Sequence, residues 1–350
     1  MRRLVAAPGL IAAVLLCAGA SGCESGFDRN DQIVNSLRIL AAADHIDNGD
    51  GVDWADAQVG DTVTLSALVA NPTGIPTVTV TWVTCLPSLN DTLTPCANET
   101  VLRQPADLIT MAADPTSGVL QLGVGETIQY TVPPEVQPLL DQLIARADGS
   151  LNAECSIYIE APLIIIAQGS DGSVVTALKN LRLSPWGQIG PNTTDPALRY
   201  YVRNANPDLT ELDLPPDFSA CAGQTLVKAC QSDADCGGLP GTCSAAGWCP
   251  PASFPSGNLA VCAQLNATAA QRYYYCGLDG VDGSELEQPS ITWYSTAGTQ
   301  ASISNSNTAG TPDLKSRTFE MFDRPPGPFT LYGVVRDGRD GENWIAQDFQ

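Results

Sequence analysis

The sequence predicts an all-β fold made of two β-sandwiches in tandem, with one inserted helix and a small disulfide-rich insert. Three observations support this fold class. Threonine and valine recur in alternating runs, as in strands with one buried face. Glycine (31) and proline (26) are plentiful and charged residues make up only 16%, which is typical of strands joined by many turns. The length of 350 residues exceeds that of one ordinary sandwich and suits two domains.

The clearest strand of the first half is residues 77–84, in which Val78, Val80 and Trp82 share one face and threonines the other. This alternation predicts a half-buried antiparallel strand with Trp82 in the core. The other strand candidates of this half, each bounded by turn residues, are residues 36–40, 62–69, 125–132, 155–167 and 173–183.

One segment of the first half has helical periodicity instead. Pro133 and Pro134 precede apolar residues that recur at helical spacing from Val136 to Ile144. This spacing, with proline at its start, predicts an amphipathic helix over about 135–147. We expect the helix to pack on the first sandwich.

The second half returns to the β pattern after a polar, Pro- and Asn-rich stretch at 184–207, which suits a domain junction. The predicted domains are 35–190 and 191–350, the second with a cysteine-rich insert at 221–250. Asp-Gly steps between the last two strand candidates predict a terminal hairpin. The best strands of this half are residues 259–264, 272–276, 290–294, 316–321, 329–335 and 343–349. The strand at 290–294 alternates, and we expect its Trp293 in the core.

The N terminus has the order of an export signal. Two arginines precede an apolar run that ends at Leu16, and small residues stand directly before Cys23. The run is shorter than the roughly 20 residues of a membrane-spanning helix, so a cleaved signal is the better interpretation. We expect a lipoprotein signal peptide at 1–22, a lipid such as palmitate on Cys23, and a tether at 23–34; an ordinary secretory signal is the alternative.

The residue after Cys23 indicates which membrane would hold the protein, and the net charge indicates which partners it can bind. Glu24 stands where an aspartate would resemble an inner-membrane retention signal, which favours the outer membrane. The formal net charge is -21 and the isoelectric point is near 4.1. This sign disfavours phosphate backbones and anionic headgroups. We therefore expect that the protein does not bind nucleic acid. We expect it to contact the membrane only through the lipid.

Cysteine use agrees with export. Of the twelve cysteines, Cys17 would leave with the signal and Cys23 would carry the lipid, which leaves ten. An even number in an exported chain predicts disulfides, and the dense cluster from Cys230 to Cys249 lacks the C-x2-C clamps of a zinc site. The disulfide candidates are Cys85, Cys96, Cys155, Cys221, Cys230, Cys236, Cys243, Cys249, Cys262 and Cys276.

The only histidine, His45, lies in a polar insert where a solvent-exposed loop residue is favoured over a catalytic base. Asp47, Asp50 and Asp53 concentrate oxygen ligands in the same insert, as a calcium site requires. The EF-hand register fails, because it would place Ile46 at the first ligand position. We therefore favour a solvated turn over a calcium site.

Two further acidic segments, at 279–287 and 337–340, are interpreted as solvated turns too. Scattered carboxylates could form a glycosidase pair, but spacing in sequence does not predict their separation across a sandwich. The sequence therefore assigns no catalytic residue.

A set of short segments runs through the whole chain: residues 37–41, 60–65, 81–85, 204–207, 291–298, 331–339 and 343–344. Together they resemble segments of a group of uncharacterised exported lipoproteins of the myxobacterial type. The resemblance implies two immunoglobulin-like sandwiches and a lipid anchor, with no established activity and no catalytic residues. The inserts at 44–56 and 221–250 are additions to that pattern.

The predicted function is that of a non-enzymatic, lipid-anchored protein that binds or scaffolds an envelope protein or a glycan. Exported sandwich architecture without a convergent catalytic set is the reason for this hypothesis. A calcium-dependent adhesion module and a carboxylate-based hydrolase are the alternatives.

Overall fold

The computed structural model is predominantly β-sheet, as the sequence predicts. The residues it describes are 33–85, 105–113, 119–146, 158–184, 202–207, 209–214, 224–228, 258–265, 271–276, 282–287, 289–296, 299–300, 319–323 and 328–349. The predictions for the signal peptide, Cys23, seven of the ten cysteines and most of the 221–250 insert lie outside these residues.

The described residues form nineteen strands and two α-helices. The first-half strands are β1 (Arg38–Asp47), β2 (Asp53–Trp54), β3 (Asp56–Ala57), β4 (Thr62–Ala70), β5 (Val78–Cys85), β6 (Val119–Val124), β7 (Thr127–Thr131), β8 (Ile159–Gly169) and β9 (Val174–Leu183). The helices are α1 (Pro105–Ala112) and α2 (Gln137–Arg146). The remaining strands are β10 (Leu209–Leu214), β11 (Gln224–Lys228), β12 (Asn258–Leu265), β13 (Arg272–Cys276), β14 (Asp282–Leu286), β15 (Ser290–Ser295), β16 (Thr299–Gln300), β17 (Phe319–Asp323), β18 (Phe329–Arg336) and β19 (Glu342–Phe349).

The first half is a β-sandwich. Its sheets have the strand orders β2-β1-β4-β7 and β3-β9-β8-β5-β6, and every pairing is antiparallel except that of β3 with β9. The sheets share one core that includes Val63 and Leu65 from β4 and Leu163 from β8. Trp82 is fully buried there and donates its Nε1 hydrogen to the Gly125 carbonyl at 2.9 Å, which confirms its predicted core position.

Strand β5 is buried on both faces, which corrects the prediction of a half-buried strand. On the face opposite Trp82, Thr81 is 4% exposed and Val83 and Cys85 are fully buried. The second face is covered because α1 packs Leu108 against Val83 and Ile164. The alternation of valine and threonine correctly predicts a strand, but it carries no information about a helix that covers the polar face.

The predicted helix is present as α2, preceded by a 3-10 turn at Pro134–Val136. Val136 and Leu140 are buried in the core of the first sandwich. In the described part of the chain, no helix is long and apolar enough to cross a membrane.

The second half contributes three sheets with the orders β11-β10-β12-β17-β16, β13-β14 and β15-β18-β19. The predicted terminal hairpin is present, with β18 and β19 paired from Phe329↔Phe349 to Arg336↔Glu342. Trp293 is fully buried, as predicted. A Cβ atom on Gly333 would lie 2.7 Å from the Trp293 ring, so only glycine fits there.

The three-stranded sheet packs on the outer face of the first sandwich. Leu40 and Leu68, from β1 and β4, form one buried cluster with Tyr332 and Val334 of β18. The two halves therefore share an apolar contact, and the polar contacts described next lie beside it.

Candidate functional site

Charged side chains are concentrated where the turn between β18 and β19 meets the side of the first sandwich. We call this region the charged junction. It draws residues from β1, β3, β9, the segment 202–207, the end of β14 and the turn itself. Its members are Asp44, Asp56, Lys179, Arg182, Arg203, Asn204, Asn206, Glu287, Asp337, Arg339, Asp340 and Glu342.

An ion pair joins the two sheets of the first sandwich at its open side. Asp44 of β1 lies between Ala42 and Ile46 on the core face, since side chains two apart in a strand share a face. Its Oδ1 is 2.8 Å from Nζ of Lys179 on β9, and the two side chains are 1% and 7% exposed. The same Nζ donates to the Asp340 carbonyl at 2.6 Å. The turn of the second half therefore closes the side of the first sandwich.

Burial sets the protonation of this pair. Burial raises the pKa of Asp44 to about 6 despite the opposing charge of Lys179. Burial also acts to lower the pKa of Lys179, but the carboxylates of Asp44, Glu342 and Asp340 outweigh it, and the net pKa shift is upward. Lys179 is thus held as a cation.

The turn is built on the carboxylate of Asp337. Its Oδ1 accepts hydrogen bonds from the amides of Arg339 at 2.6 Å and Gly341 at 3.0 Å. Its Oδ2 accepts a hydrogen bond from the side-chain amide (Nδ2) of Asn204 at 2.9 Å. A Cβ atom on Gly341 would collide with this carboxylate. Asp337 is 3% exposed, so the prediction of a solvated turn is wrong here.

The segment 202–207 connects the turn to the first sandwich. The backbone N–H of Asn204 donates to Asp56 Oδ2 at 3.0 Å, and the backbone carbonyl of Asn204 accepts from the Ala55 N–H at 2.9 Å. Arg203 donates to the Asp56 carbonyl at 2.8 Å and to the Asp61 carboxylate at 3.0 Å. This short polar segment is buried, and its side chains bind both halves.

Glu287 anchors the far side of the turn. Its Oε1 is 2.7 Å from Arg339, and its Oε2 accepts the Gln271 amide at 2.8 Å. The Arg339 guanidinium also lies 5.0 Å from the centre of the Tyr273 ring. Burial raises the pKa of Glu287 to about 7, since desolvation outweighs the attraction of Arg339. The solvated turn predicted at 279–287 is therefore wrong for Glu287, which is 3% exposed.

Side chains of the second half cover the free edge of β1. Arg336 donates to the Leu40 carbonyl at 3.1 Å, and Glu342 accepts the Ala42 amide at 3.1 Å. Asn206 donates to the Asp44 carbonyl at 2.6 Å. These groups occupy the hydrogen-bonding positions that a neighbouring strand would fill. A cleft of about 360 Å³ lies beside them, between β1, β9 and the turn.

The acidic loop after β1 is held by its own hydrogen bonds. Asp47 accepts the Gly49 amide at 2.7 Å, and Asp50 accepts the Val52 amide and the Trp54 indole, both at 3.0 Å. Within the described ranges, no three acidic, His or Cys side chains converge as metal ligands. Calcium binding by Asp47, Asp50 and Asp53 stays an untested alternative to the solvated turn that the sequence favours.

His45 lies in strand β1 and not in a loop, which corrects its predicted position. Its Nδ1 is 2.7 Å from Asp53 Oδ2, and its side chain is 29% exposed. Burial acts to lower the pKa of His45, but the hydrogen bond and charge of Asp53 outweigh it, and the net pKa shift is upward.

Three of the ten cysteines fall on described strands. Cys85 ends β5 and is fully buried, Cys262 lies in β12, and Cys276 ends β13. The structure does not test the pairing of the ten, which stays a prediction.

The charged junction is suited to holding two bodies together. Each of its buried carboxylates contacts a cation or an amide of the protein. Partners lie far apart in sequence, as with Asp44 and Lys179 or Asn204 and Asp337. Sequence reasoning missed them because acidic residues beside glycine usually indicate solvated turns. The asparagines of 204–206, close to one another in a predicted junction, were the available signal.

No protein-family model matches this chain, and no curated protein matches it in sequence. Among solved structures, it is similar to fibronectin(III)-like modules of Clostridium thermocellum CbhA, with 8% identity, a TM-score of 0.19, and coverage of 88% of this chain and 92% of that one. It is also similar to the Bacteroides ovatus protein SGBP-B, solved with a mixed-linkage heptasaccharide, with 12% identity, a TM-score of 0.19, and coverage of 90% and 70%. At this level of similarity, no activity or ligand transfers to the present chain.

Proposed function

We propose that this chain is a lipid-anchored cell-envelope protein with a non-enzymatic role, in which the charged junction holds two immunoglobulin-like units in one fixed orientation. The observation that carries the proposal is the set of contacts that cross the junction. Its buried charged groups contact protein partners from both halves, as in a structural contact. Catalytic carboxylates instead need access to a substrate.

The polar contacts of the junction are better suited to fixing the relative orientation of the two halves than to strengthening their association. Apolar contacts such as Leu40 with Tyr332 are non-directional, and a sheet can slide over them. Hydrogen bonds to Asp337 and Glu342 require particular distances and angles, so they select one arrangement of the halves. Buried ionic groups often add little net stability. Their role here is to fix the geometry of a rigid arm that carries binding loops away from the membrane.

The anchor is proposed from the sequence of residues 1–23, and the partner class from export and charge. A rigid arm on the outer membrane would bring a second envelope protein or a glycan to a set distance from the lipid. The strongly acidic chain, with a net charge of -21, would repel anionic headgroups. The lipid on Cys23 would therefore be the only attachment to the membrane.

The anchor is tested by replacing Cys23 with serine in cells fed a labelled fatty acid. We expect the Cys23→Ser variant to lose the label and to leave the membrane fraction. The matched control is Cys17→Ser, which should keep both label and membrane association. Retained label on Cys23→Ser, or loss of label on Cys17→Ser, would show that the lipid is attached elsewhere.

A further inference from the structure

The contact between Asp44 and Lys179 joins two strands that belong to different sheets. β1 and β9 are the first and the last strand of the first sandwich, and in the described part of the chain neither strand pairs with the other. Asp44 Oδ1 and Lys179 Nζ are 2.8 Å apart. This side-chain contact therefore spans the open side of the sandwich, where no ladder of backbone hydrogen bonds connects the two sheets.

The pair is closed to water and its charges are poorly compensated. The two side chains are 1% and 7% exposed, and among the described residues Asp44 Oδ1 has no other hydrogen-bond partner. Burial raises the pKa of Asp44 to about 6 although an ammonium lies beside it. The attraction between the two groups thus falls short of the cost of burying them as ions. A neutral product of the same two groups would remove that cost.

We infer that Lys179 and Asp44 condense into an intramolecular amide bond that crosslinks β1 to β9. Nζ of Lys179 becomes bonded to the carboxyl carbon (Cγ) of Asp44, and one carboxyl oxygen leaves as water. No oxidant, reductant or further reactant is needed. The ion pair is the precursor of this bond, and the Asp44 carboxylate titrates only in chains in which the bond has not yet formed.

The ion pair already holds the protons that the condensation needs. The ammonium passes one proton across the 2.8 Å contact to the carboxylate, which gives a neutral amine and a carboxylic acid. The lone pair of the amine attacks Cγ. A second proton then moves from nitrogen to the departing hydroxyl group, which leaves as water. The amide nitrogen keeps the third hydrogen, so atoms and charge balance.

Proximity and the exclusion of water favour the bond. Reacting groups that a structure holds in contact behave as though they were present at about 10⁵–10⁸ M. The released water can leave through the cleft of about 360 Å³ that Lys179 lines. The carboxylates of Glu342 and Asp340 favour the ammonium form of Lys179, which makes the first proton transfer unfavourable. The bond therefore forms slowly, after the chain has folded.

The crosslink would lie wholly within the first sandwich. It would tie the first strand to the last and restrict the unfolded chain, as a disulfide across a long loop does. The inference does not rest on the lipid anchor or on the role of the charged junction. Failure of the crosslink would leave the proposed function as it stands.

Peptide mapping of the full chain, purified from the cells that produce it and reduced to open disulfides, tests the bond. Trypsin does not cleave after an acylated lysine, so the bond would join residues 39–103 to residues 147–182 in one branched product. We expect this product at a mass one water below the sum of the two peptides. Fragmentation in the mass spectrometer should place the link between Asp44 and Lys179.

The test variant is Lys179→Arg, which keeps a cation beside Asp44. A guanidinium stays protonated and is no nucleophile, so the branched product should be lost. The matched control is the same exchange on β11, Lys228→Arg, which should retain it.

The decisive product comes from the wild-type chain, so the test does not depend on how a variant folds. Linear peptides 39–103 and 147–179 as the only wild-type products would overturn the proposal. A branched product that links another pair of residues, or one that persists in Lys179→Arg, would overturn it as well.

Discussion

Gly341 allows the turn of the charged junction to close, because any side chain at this position would occupy the space of the Asp337 carboxylate. We expect Gly341→Ala to displace that carboxylate and to break its bonds to the turn amides and Asn204. The free energy of unfolding should fall by about 2–4 kcal/mol, the range for lost buried polar contacts and overpacking.

Gly338, in the same turn, provides the matched control. It has a φ of +85° and open space around its Cα. Asparagine tolerates this left-handed conformation, so Gly338→Asn should change the unfolding free energy by less than about 1 kcal/mol. Urea titration measures both variants. Equal losses in the two would mean that the Asp337 carboxylate does not organise the turn.

Glu287 makes the stability of the junction depend on pH. Its pKa is about 7 in the folded chain against an ordinary value of 4.5, so folding takes up a proton between these values. The sign follows from proton linkage: stability rises as pH falls from about 8 to about 5 and is lost again as the pH rises through 7. Asp44, with its pKa raised to about 6, acts in the same direction.

We expect Glu287→Gln to flatten this pH dependence by about 2–3 kcal/mol, since one pKa unit corresponds to about 1.4 kcal/mol. Urea unfolding at pH 8 and pH 5.5 measures the slope. The control is Glu126→Gln at an exposed turn, which should leave the slope as it is. An unchanged slope in Glu287→Gln would mean that Glu287 ionises like a solvated carboxylate.

Buried charge was the part of the site that the sequence predicted least well. Asp44, Glu287 and Asp337 have the neighbours of solvated turn residues, and their burial depends on Lys179, Arg339 and Asn204 respectively. Each partner is at least 50 positions away in sequence. Local pattern cannot report a desolvation that is compensated by so distant a residue.

Strand β1 is the element whose edge the second half covers, and it ends at Asp47, beyond the predicted Leu40. Asn206 joins this edge to β19, because it donates to the Asp44 carbonyl of β1 and accepts a hydrogen bond from the Glu342 amide of β19. We expect Asn206→Ala to leave both backbone groups buried without a partner and to cost about 2–4 kcal/mol of unfolding free energy.

The comparison for Asn206 is Asn180→Ala. Asn180 binds Glu160 at the surface at 3.3 Å, so its loss should cost less than about 0.5 kcal/mol. Hydrogen exchange adds a local measurement, since the Glu342 amide should exchange faster only in Asn206→Ala. An unchanged exchange rate there would contradict the proposed cover of the β1 edge.

Elements with regular apolar spacing were predicted well. The alternation around Trp82 and Trp293 gave two core strands, and the 136–144 spacing gave α2. The terminal hairpin followed from its Asp-Gly steps. The continuation of β1 through Asp44 and His45 was missed, because a polar residue on a core face interrupts the pattern that identifies a strand.

At the level of the whole molecule, the two halves are joined by an apolar contact and by directional polar bonds beside it. The apolar cluster of Leu40 with Tyr332 supplies attraction. The charged junction supplies orientation, since it binds β1, β9 and segment 202–207 to a single turn. We therefore expect the halves to unfold together and to separate when the junction loses one ion pair.

Differential scanning calorimetry of the wild-type chain and of Arg203→Met tests this coupling. The wild type should show one transition whose calorimetric and van't Hoff enthalpies agree. Arg203→Met removes the buried guanidinium that binds the Asp56 carbonyl and the Asp61 carboxylate of the first half, at a cost of about 3–5 kcal/mol, and should give two transitions. Two independent transitions in the wild type, or a single unshifted transition in Arg203→Met, would contradict a junction that holds the halves together.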